Sequence, residues 1–182
     1  MKIFFDTEFT GLHKNTTLIS IGCIAEDGKT FYAELNDFDE SQCDNWIQEN
    51  VINNLLYPDV EGVKDDGTNM VVLGDMDLVR EKFIEWLSQY KDVQFVSDVC
   101  HYDMVLLIDI FGDAMSLPQG VSPVCHDINQ DIARFYGCPD AEVFDWSRED
   151  IIAEHHISIE GKKHNSLYDA KVIEAIYHIV NN

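Results

Sequence analysis

The chain has 182 residues, 46% hydrophobic and 11% aromatic, so it can bury a sizeable core and is too apolar to be wholly disordered. Its 34 acidic and 12 basic residues give a formal net charge of −22, which disfavours non-specific binding to nucleic acid. No stretch approaches the roughly 18 uncharged apolar residues of a membrane span, and the amino terminus does not have the pattern of a signal peptide.

The cysteines indicate a compartment. There are five, an odd number, and no two of them form a C-x-x-C pair. This pattern argues against a disulfide framework or a structural zinc site and favours a reducing cytoplasm. We therefore expect a cytoplasmic protein with one domain over residues 1–182 and no membrane partner.

The amino-terminal part predicts strands followed by a helix and a loop. Short apolar segments rich in β-branched and aromatic residues favour three strands, at residues 2–9, 16–25 and 30–35. Asp27-Gly28 lies between the last two and is typical of a hairpin turn. Apolar residues at helical spacing predict a helix over 41–56, and the polar stretch 57–74 is expected to be a loop.

The remainder begins with a helix and a strand and is then mostly helical. Amphipathic spacing predicts a helix over 75–90, and an apolar run predicts a buried strand over 93–99. Further helices are expected at residues 102–111, 124–136, 147–154 and 167–180. This order indicates an α/β fold, in which one mixed sheet is flanked by helices.

Two acidic residues lie on the first predicted strand. Asp6 and Glu8 are two positions apart, so their side chains would project from the same face. Carboxylates near the end of an apolar strand are costly unless a cation lies between them, and their oxygens suit Mg²⁺ or Mn²⁺. A solvated acidic face of an edge strand has the same pattern, so the pair alone is a weak signal.

Further acidic positions lie where helices are predicted to begin. Asp103 follows the predicted strand 93–99, and open α/β sheets place ligands at strand ends. It could equally be an aspartate that favours the helix dipole. Asp169 lies in the first turn of the last helix, with His164 on the loop before it. Ser166-x-x-Asp169 is also a capping-box pattern, so a purely structural role stays open.

Together these motifs resemble those of the DEDDh branch of the DnaQ-like exonucleases, which have a ribonuclease-H-like fold. Residues 6–12 read D-T-E-F-T-G-L, similar to D-x-E-T-T-G-L with Phe9 in place of a threonine. Tyr102-Asp103 resembles the aromatic-Asp pair of the second motif, and residues 164–170 read H-N-S-L-Y-D-A, similar to H-x-A-x-x-D-A. The five-residue separation of His164 from Asp169 distinguishes this branch from the related tyrosine branch.

The resemblance implies a reaction and its cofactors. A DEDDh enzyme would hydrolyse phosphodiester bonds from the 3′ end with two divalent cations, Mg²⁺ or Mn²⁺. The metal ligands would be Asp6, Glu8, Asp103 and Asp169, with Asp6 bridging both cations. His164 would accept a proton from the attacking water as the general base.

It also implies substrate contacts. The backbone around Phe9, Thr10 and Gly11 would cradle the 3′-terminal nucleotide, and Leu12 would pack against its base. Phe9 or Tyr102 could stack on a base, which is a sequence-tolerant interaction. Core packing is an equally good interpretation of Tyr102.

Two charged positions near the motifs have open roles. Lys163 could contact a substrate phosphate, although most surface lysines are simply solvated. Asp98-Val99 stands where many relatives have His-Asn, so contacts made by that pair are in doubt here. Asp98 could be an additional metal ligand, but a structural or solvated role is the stronger interpretation.

The expected substrate is single-stranded RNA or DNA with a free 3′ end, with RNA favoured because small stand-alone members of this branch often act on RNA. The charge of −22 predicts short substrates, held through metals and terminal nucleotides instead of a long basic groove. One alternative is an acidic protein that mimics nucleic acid, and another is a catalytically inactive interaction module. A homodimer is neither supported nor excluded.

Overall fold

The computed structural model describes residues 1–56 and 62–181. The strands in these ranges are β1 (Lys2–Phe9), β2 (Leu18–Ala25), β3 (Thr30–Leu35), β4 (Gly62–Asp65), β5 (Asn69–Gly74), β6 (Gln94–Ser97) and β7 (His126–Asp127). The helices are α1 (Asn45–Asn50), α2 (Met76–Leu87), α3 (His101–Ile110), α4 (Ile128–Tyr136), α5 (Asp140–Val143), α6 (Arg148–Glu154) and α7 (Ser166–Asn181). None of these helices is long and apolar enough to cross a membrane.

The strands form one mixed sheet in the order β4-β5-β3-β2-β1-β6-β7. The hairpin-connected strands β1, β2 and β3 are antiparallel. On either side of this meander, β5 joins β3 and β6 joins β1 in parallel. With helices packed on both faces, this arrangement confirms the predicted α/β ribonuclease-H-like fold.

Alternation along β1 sends its side chains to two different cores. Ile3 and Phe5 pack into the core that contains residues of α2 and α3. Phe4 packs on the opposite face, in the core that contains residues of α4, α6 and α7. Asp6 and Glu8 have the same parity as Phe4 and therefore face α7, while Thr7 faces α3.

The predicted helix over 41–56 is wrong in extent, since α1 covers only Asn45–Asn50. Asp44 caps its beginning by accepting a hydrogen bond from the backbone N–H of Ile47 at 2.9 Å. At the other end, the side-chain amide of Asn54 donates to the carbonyl of Asn50. Such side-chain bonds compete with helix continuation, and short 3₁₀ turns flank α1 on both sides.

The predicted loop over 57–74 is wrong where the structure describes it, and residues 57–61 lie outside the described ranges. β5 is buried between β4 and β3, while β4 is a largely exposed edge strand whose polar residues hide its periodicity. Asp66 shapes the turn between them by accepting from the N–H groups of Thr68 and Asn69. The predicted helix over 124–136 begins only at Ile128, because residues 126–127 pair with β6, and α5 was not predicted.

Candidate active site

Three carboxylates meet at the end of β1. Ligand oxygens of Asp6, Glu8 and Asp169 all lie within 4.8 Å of one another. The first two share one face of β1, and Asp169 comes from the first turn of α7, which packs on that face. This grouping is close enough for a single cation to contact all three side chains.

A glycine on β2 allows α7 to come so near. Gly22 is the register partner of Asp6, and a Cβ atom at this position would lie 2.3 Å from the backbone nitrogen of Leu167. Beside it, the hydroxyl oxygens of Ser20 and Ser166 form a buried hydrogen bond of 2.9 Å. The start of α7 therefore packs backbone against backbone on the sheet, which brings Asp169 to Asp6.

Asp103 reaches the same end of β1 from the other face. Its Oδ1 accepts hydrogen bonds from the backbone N–H of Thr7 at 3.0 Å and from the Thr7 hydroxyl at 2.6 Å. The side chain lies beside the three-carboxylate group without belonging to it. Thr7 was not predicted as a site residue, although its position between two metal-ligand candidates is a usable signal.

Burial and mutual repulsion keep the site from ionising fully. Burial, followed by the charges of Asp169 and Asp103, raises the pKa of Asp6 well above the usual carboxyl range. Burial also raises the pKa of Glu8, that of Asp103 to about 6 and that of Asp169 to about 7. A cation relieves this cost, and a cluster of hard oxygen donors fits Mg²⁺ or Mn²⁺.

His164 lies next to this cluster. Its backbone adopts a positive φ of 62°, which turns its N–H toward Asp169 Oδ2 at 2.8 Å. The imidazole is half-buried and contacts the ring of Trp46 edge to face, at 5.0 Å between ring centroids. Burial, aided by Lys163, lowers the pKa of His164, so the ring is neutral at pH 7 and can accept a proton.

Asp98 is held by an arginine that was not predicted from the sequence. Arg148 forms a two-point ion pair with it, at 2.6 and 2.9 Å, and both side chains are largely buried. The remaining guanidinium donors reach Asn129 and the carbonyls of Val143 and Trp146. The pairing favours a structural role for Asp98, and only a long-range contact reveals its partner.

These groups line an open cleft of ≈ 330 Å³. One wall carries the carboxylates and His164, and other walls include Phe9, Phe144 and Trp146. Lys163 also lines the cleft, and its ammonium group is 3.3 Å from a carboxylate oxygen of Glu149. The lysine predicted to contact phosphate therefore has an acidic partner in this structure.

Of the other predicted substrate residues, Phe9 lines the cleft, whereas Thr10, Gly11, Leu12 and Tyr102 are not among its lining residues. Phe9 and Tyr102 stack on each other, with ring centroids 5.4 Å apart. Thr10 is buried and donates its hydroxyl to Gln42 at 2.6 Å, so its side chain has a structural partner. Leu12 is 78% exposed, in keeping with an apolar contact to a ligand.

The backbone of the predicted cradle is partly engaged within the protein. The N–H of Thr10 donates to the carbonyl of Thr17, and the N–H of Gly11 donates to the Thr16 hydroxyl, both at 3.0 Å. These bonds fix the turn after β1. The carbonyl of Gly11 is engaged as well, since it accepts from the N–H of His13 at 2.9 Å.

The fold and the clustered acidic residues define a nuclease of the DEDDh class. Residues 1–180 match the family described as the 3′-5′ exoribonuclease Rv2179c-like domain, and the chain belongs to this family. A curated relative, the 3′-5′ exoribonuclease Rv2179c of Mycobacterium tuberculosis, is 28% identical over 139 residues, which cover 76% of this chain and 77% of that protein. Membership in a family of enzymes argues against the acidic mimic and the inactive module.

Solved structures show the same fold. Pop2p of S. pombe, in its Mg²⁺- and Mn²⁺-bound form, has a TM-score of 0.65 at 14% identity, covering 98% of this chain and 82% of that one. The nuclease domain of 3′hExo, a DEDDh family member bound to rAMP, has a TM-score of 0.63 at 16% identity, covering 96% and 88%.

Proposed function

We propose that this chain removes nucleotides from the 3′ end of single-stranded RNA, using two divalent cations and His164 as general base. The convergence of Asp6, Glu8 and Asp169 within 4.8 Å, beside a cleft that also contains Asp103, carries the proposal. Carboxylates that are difficult to ionise together are expected where cations complete a site.

The four carboxylates would divide between two cations. Asp6, Glu8 and Asp169 would hold one, and Asp103 with Asp6 would hold the other. When bound, such cations supply a more acidic water and neutralise charge that develops on the scissile phosphate. Thr7 orients Asp103 through its two hydrogen bonds, and the N–H of His164 orients Asp169.

His164 is proposed to remove the proton from the attacking water. Replacing it with asparagine, which tolerates a positive φ, removes the base at little cost to the backbone. We expect His164→Asn to lower kcat by about 10²–10⁴-fold. Because burial lowers the pKa of His164, the rate should fall at a lower pH than it would for an ordinary histidine base.

The measurement is kcat between pH 5 and 9 at saturating Mn²⁺, with the exposed His155→Ala as control. The control should match the wild type. Retention of both wild-type kcat and its acidic limb by His164→Asn would rule out the general-base role.

RNA is the proposed substrate because the curated relative is an exoribonuclease. With a net charge of −22, the protein repels a long polyanion, so binding energy must come from contacts near the 3′ end. We therefore propose that short strands are good substrates. The odd number of cysteines, with no C-x-x-C pair, supports action in the cytoplasm.

The activity is tested with 5′-labelled single-stranded RNA and DNA oligonucleotides of matched sequence, incubated with Mg²⁺, with Mn²⁺ or with EDTA. We expect a ladder of products that shortens from the 3′ end, depends on the metal and forms faster on RNA. Internal cleavage, equal activity in EDTA or no product under any condition would contradict the proposal.

A further inference from the structure

The net charge of −22 does not explain how the proposed nuclease would bind RNA. The cations that line the active-site cleft already have acidic partners, Arg148 with Asp98 and Lys163 with Glu149. Contacts with the RNA beyond the scissile phosphate must therefore come from another part of the protein surface.

A second hollow, of ≈ 610 Å³, lies next to the cleft. Its lining includes His13, Lys14, His101, Tyr102, Val105 and Asp109. The ring of Tyr102 stacks on Phe9, which lines the cleft, so these two rings form the wall between the spaces. The two spaces are neighbours, each within the range typical of small-ligand sites.

The end of the hollow nearest this wall carries basic groups. His101 begins α3, directly before Tyr102, and His13 and Lys14 directly follow Leu12. Lys14 is exposed and forms no ion pair with any residue in the described ranges, unlike the two cations of the cleft. The exposed imidazole of His13 can donate to a phosphate or sugar oxygen. His101 Nδ1 lies 3.3 Å from the carbonyl of Val99, which leaves Nε2 of the neutral ring to accept from a ribose hydroxyl.

The far end of the hollow has the opposite character. Asp109 lies on the same helix as His101, eight residues on, which places it roughly 12 Å away at 1.5 Å per residue. Between them, Val105 is 64% exposed and offers an apolar floor to a ribose or base. A polyanionic RNA is attracted at one end of the hollow and repelled at the other, so only a short segment of RNA can bind there.

We propose that this hollow binds the RNA on the 5′ side of the scissile phosphate, with Lys14 contacting a backbone phosphate, His101 a second polar group and Tyr102 a nucleotide. This inference rests on the proposed nuclease function and extends it with a second binding site. The hollow binds about two nucleotides, and repulsion by Asp109 prevents a longer segment of RNA from binding.

The test compares substrates that have nucleotides on the 5′ side of the scissile phosphate with a substrate that has none. Lys14→Ala and His101→Ala are assayed on single-stranded RNA of two, four, six and ten nucleotides, and on the p-nitrophenyl ester of a nucleoside 5′-monophosphate. Lys91→Ala, at an exposed lysine three residues before β6 that lines neither the cleft nor the hollow, is the matched control.

Wild-type KM should fall from the dimer to the tetramer and then stop falling. Lys14→Ala should raise KM for the hexamer about 10-fold, as expected for loss of a charge-assisted hydrogen bond, with kcat and ester hydrolysis unchanged. The slope of log(kcat/KM) against log salt should lose about 0.7. His101→Ala should raise the hexamer KM in the same way, to a smaller extent. Asp109→Asn should lower the hexamer KM.

Equal hexamer KM values for Lys14→Ala and Lys91→Ala would overturn the proposal. So would equal losses on the hexamer and the ester, because the hollow would then belong to the terminal-nucleotide site. Lys162, the exposed lysine directly before Lys163, lies outside the hollow. A stronger effect of Lys162→Ala than of Lys14→Ala would place the RNA on the Lys162 side of the cleft and would also overturn the proposal. Failure of the wild type to cleave any of these substrates would instead count against the nuclease function.

Discussion

Asp6→Asn is expected to abolish turnover while making the metal-free protein more stable at neutral pH. Loss of the ligand that we propose is shared by two cations should cost more than the roughly 10–100-fold typical of outer-shell partners, so kcat/KM should fall about 10³-fold or more. The same substitution removes a carboxyl group whose ionisation is opposed by burial and by the charges of Asp169 and Asp103. Activity and stability should therefore change in opposite directions.

The direction of the pKa shifts determines whether the stability of the metal-free protein rises or falls with pH. Burial raises the folded-state pKa of Asp103 to about 6 and that of Asp169 to about 7, from an ordinary value of 3.8. Their stabilising contribution is therefore complete below pH 4 and is lost as the pH rises through 6 and 7. Metal-free wild-type protein should lose on the order of 2 kcal/mol, about 5 °C in Tm, between pH 5 and pH 8.

Thermal unfolding in EDTA between pH 5 and pH 8, and again with excess Mn²⁺, measures this effect. We expect Mn²⁺ to remove the pH dependence in the wild type and Asp6→Asn to reduce it in EDTA. Glu49→Gln, at an exposed position of α1, makes the same change of charge and should behave like the wild type. A Tm in EDTA that rises from pH 5 to pH 8 would contradict this electrostatic account.

Gly22→Ala is expected to damage the site from β2, the strand that pairs with β1. The new methyl group would lie 2.3–2.4 Å from backbone atoms of Leu167 and Ser166, and a helix backbone cannot give way as a side chain can. The start of α7 must shift, and Asp169 must shift with it. A misplacement of about 1 Å can cost roughly 10²-fold in rate, and overpacking of this kind costs about 1–3 kcal/mol.

Gly74→Ala is a matched control on β5. There the added Cβ meets the terminal Cδ2 of Leu78 at 2.7 Å, and that side chain can change its rotamer. We expect Gly74→Ala to keep the wild-type kcat and Gly22→Ala to lose it, as measured on one labelled oligonucleotide together with Tm. Equal activity of the two variants would show that the close approach of α7 at Gly22 is unimportant for the site.

The sequence predicts those parts of the fold that depend on local pattern. The strands over 2–9 and 30–35 match the structure, and Asp75 begins the predicted second helix as its cap. Segments whose state depends on partners were predicted less well. β5 is stabilised by pairing with β3, and α1 is shortened by capping and by asparagine side chains.

The active site likewise combines features that local spacing predicts with features that depend on distant residues. The spacing of Asp6 and Glu8 on a strand predicts that they share a face, and the structure places Asp169 with them. Gly22 and Arg148 could not be recognised in this way, because their roles depend on atoms of Leu167 and Asp98, 145 and 50 residues away in the chain. A glycine within a buried apolar strand is a signal of close backbone approach, but it does not identify the partner.

Anomalous diffraction from crystals soaked in Mn²⁺ and a nucleoside 5′-monophosphate would locate the proposed cations themselves. We expect two manganese peaks, one among Asp6, Glu8 and Asp169 and the other between Asp6 and Asp103, with neither present in Asp6→Asn. Peaks elsewhere, or no peak at the carboxylates in a protein that still cleaves RNA, would rule out two-cation catalysis at these carboxylates.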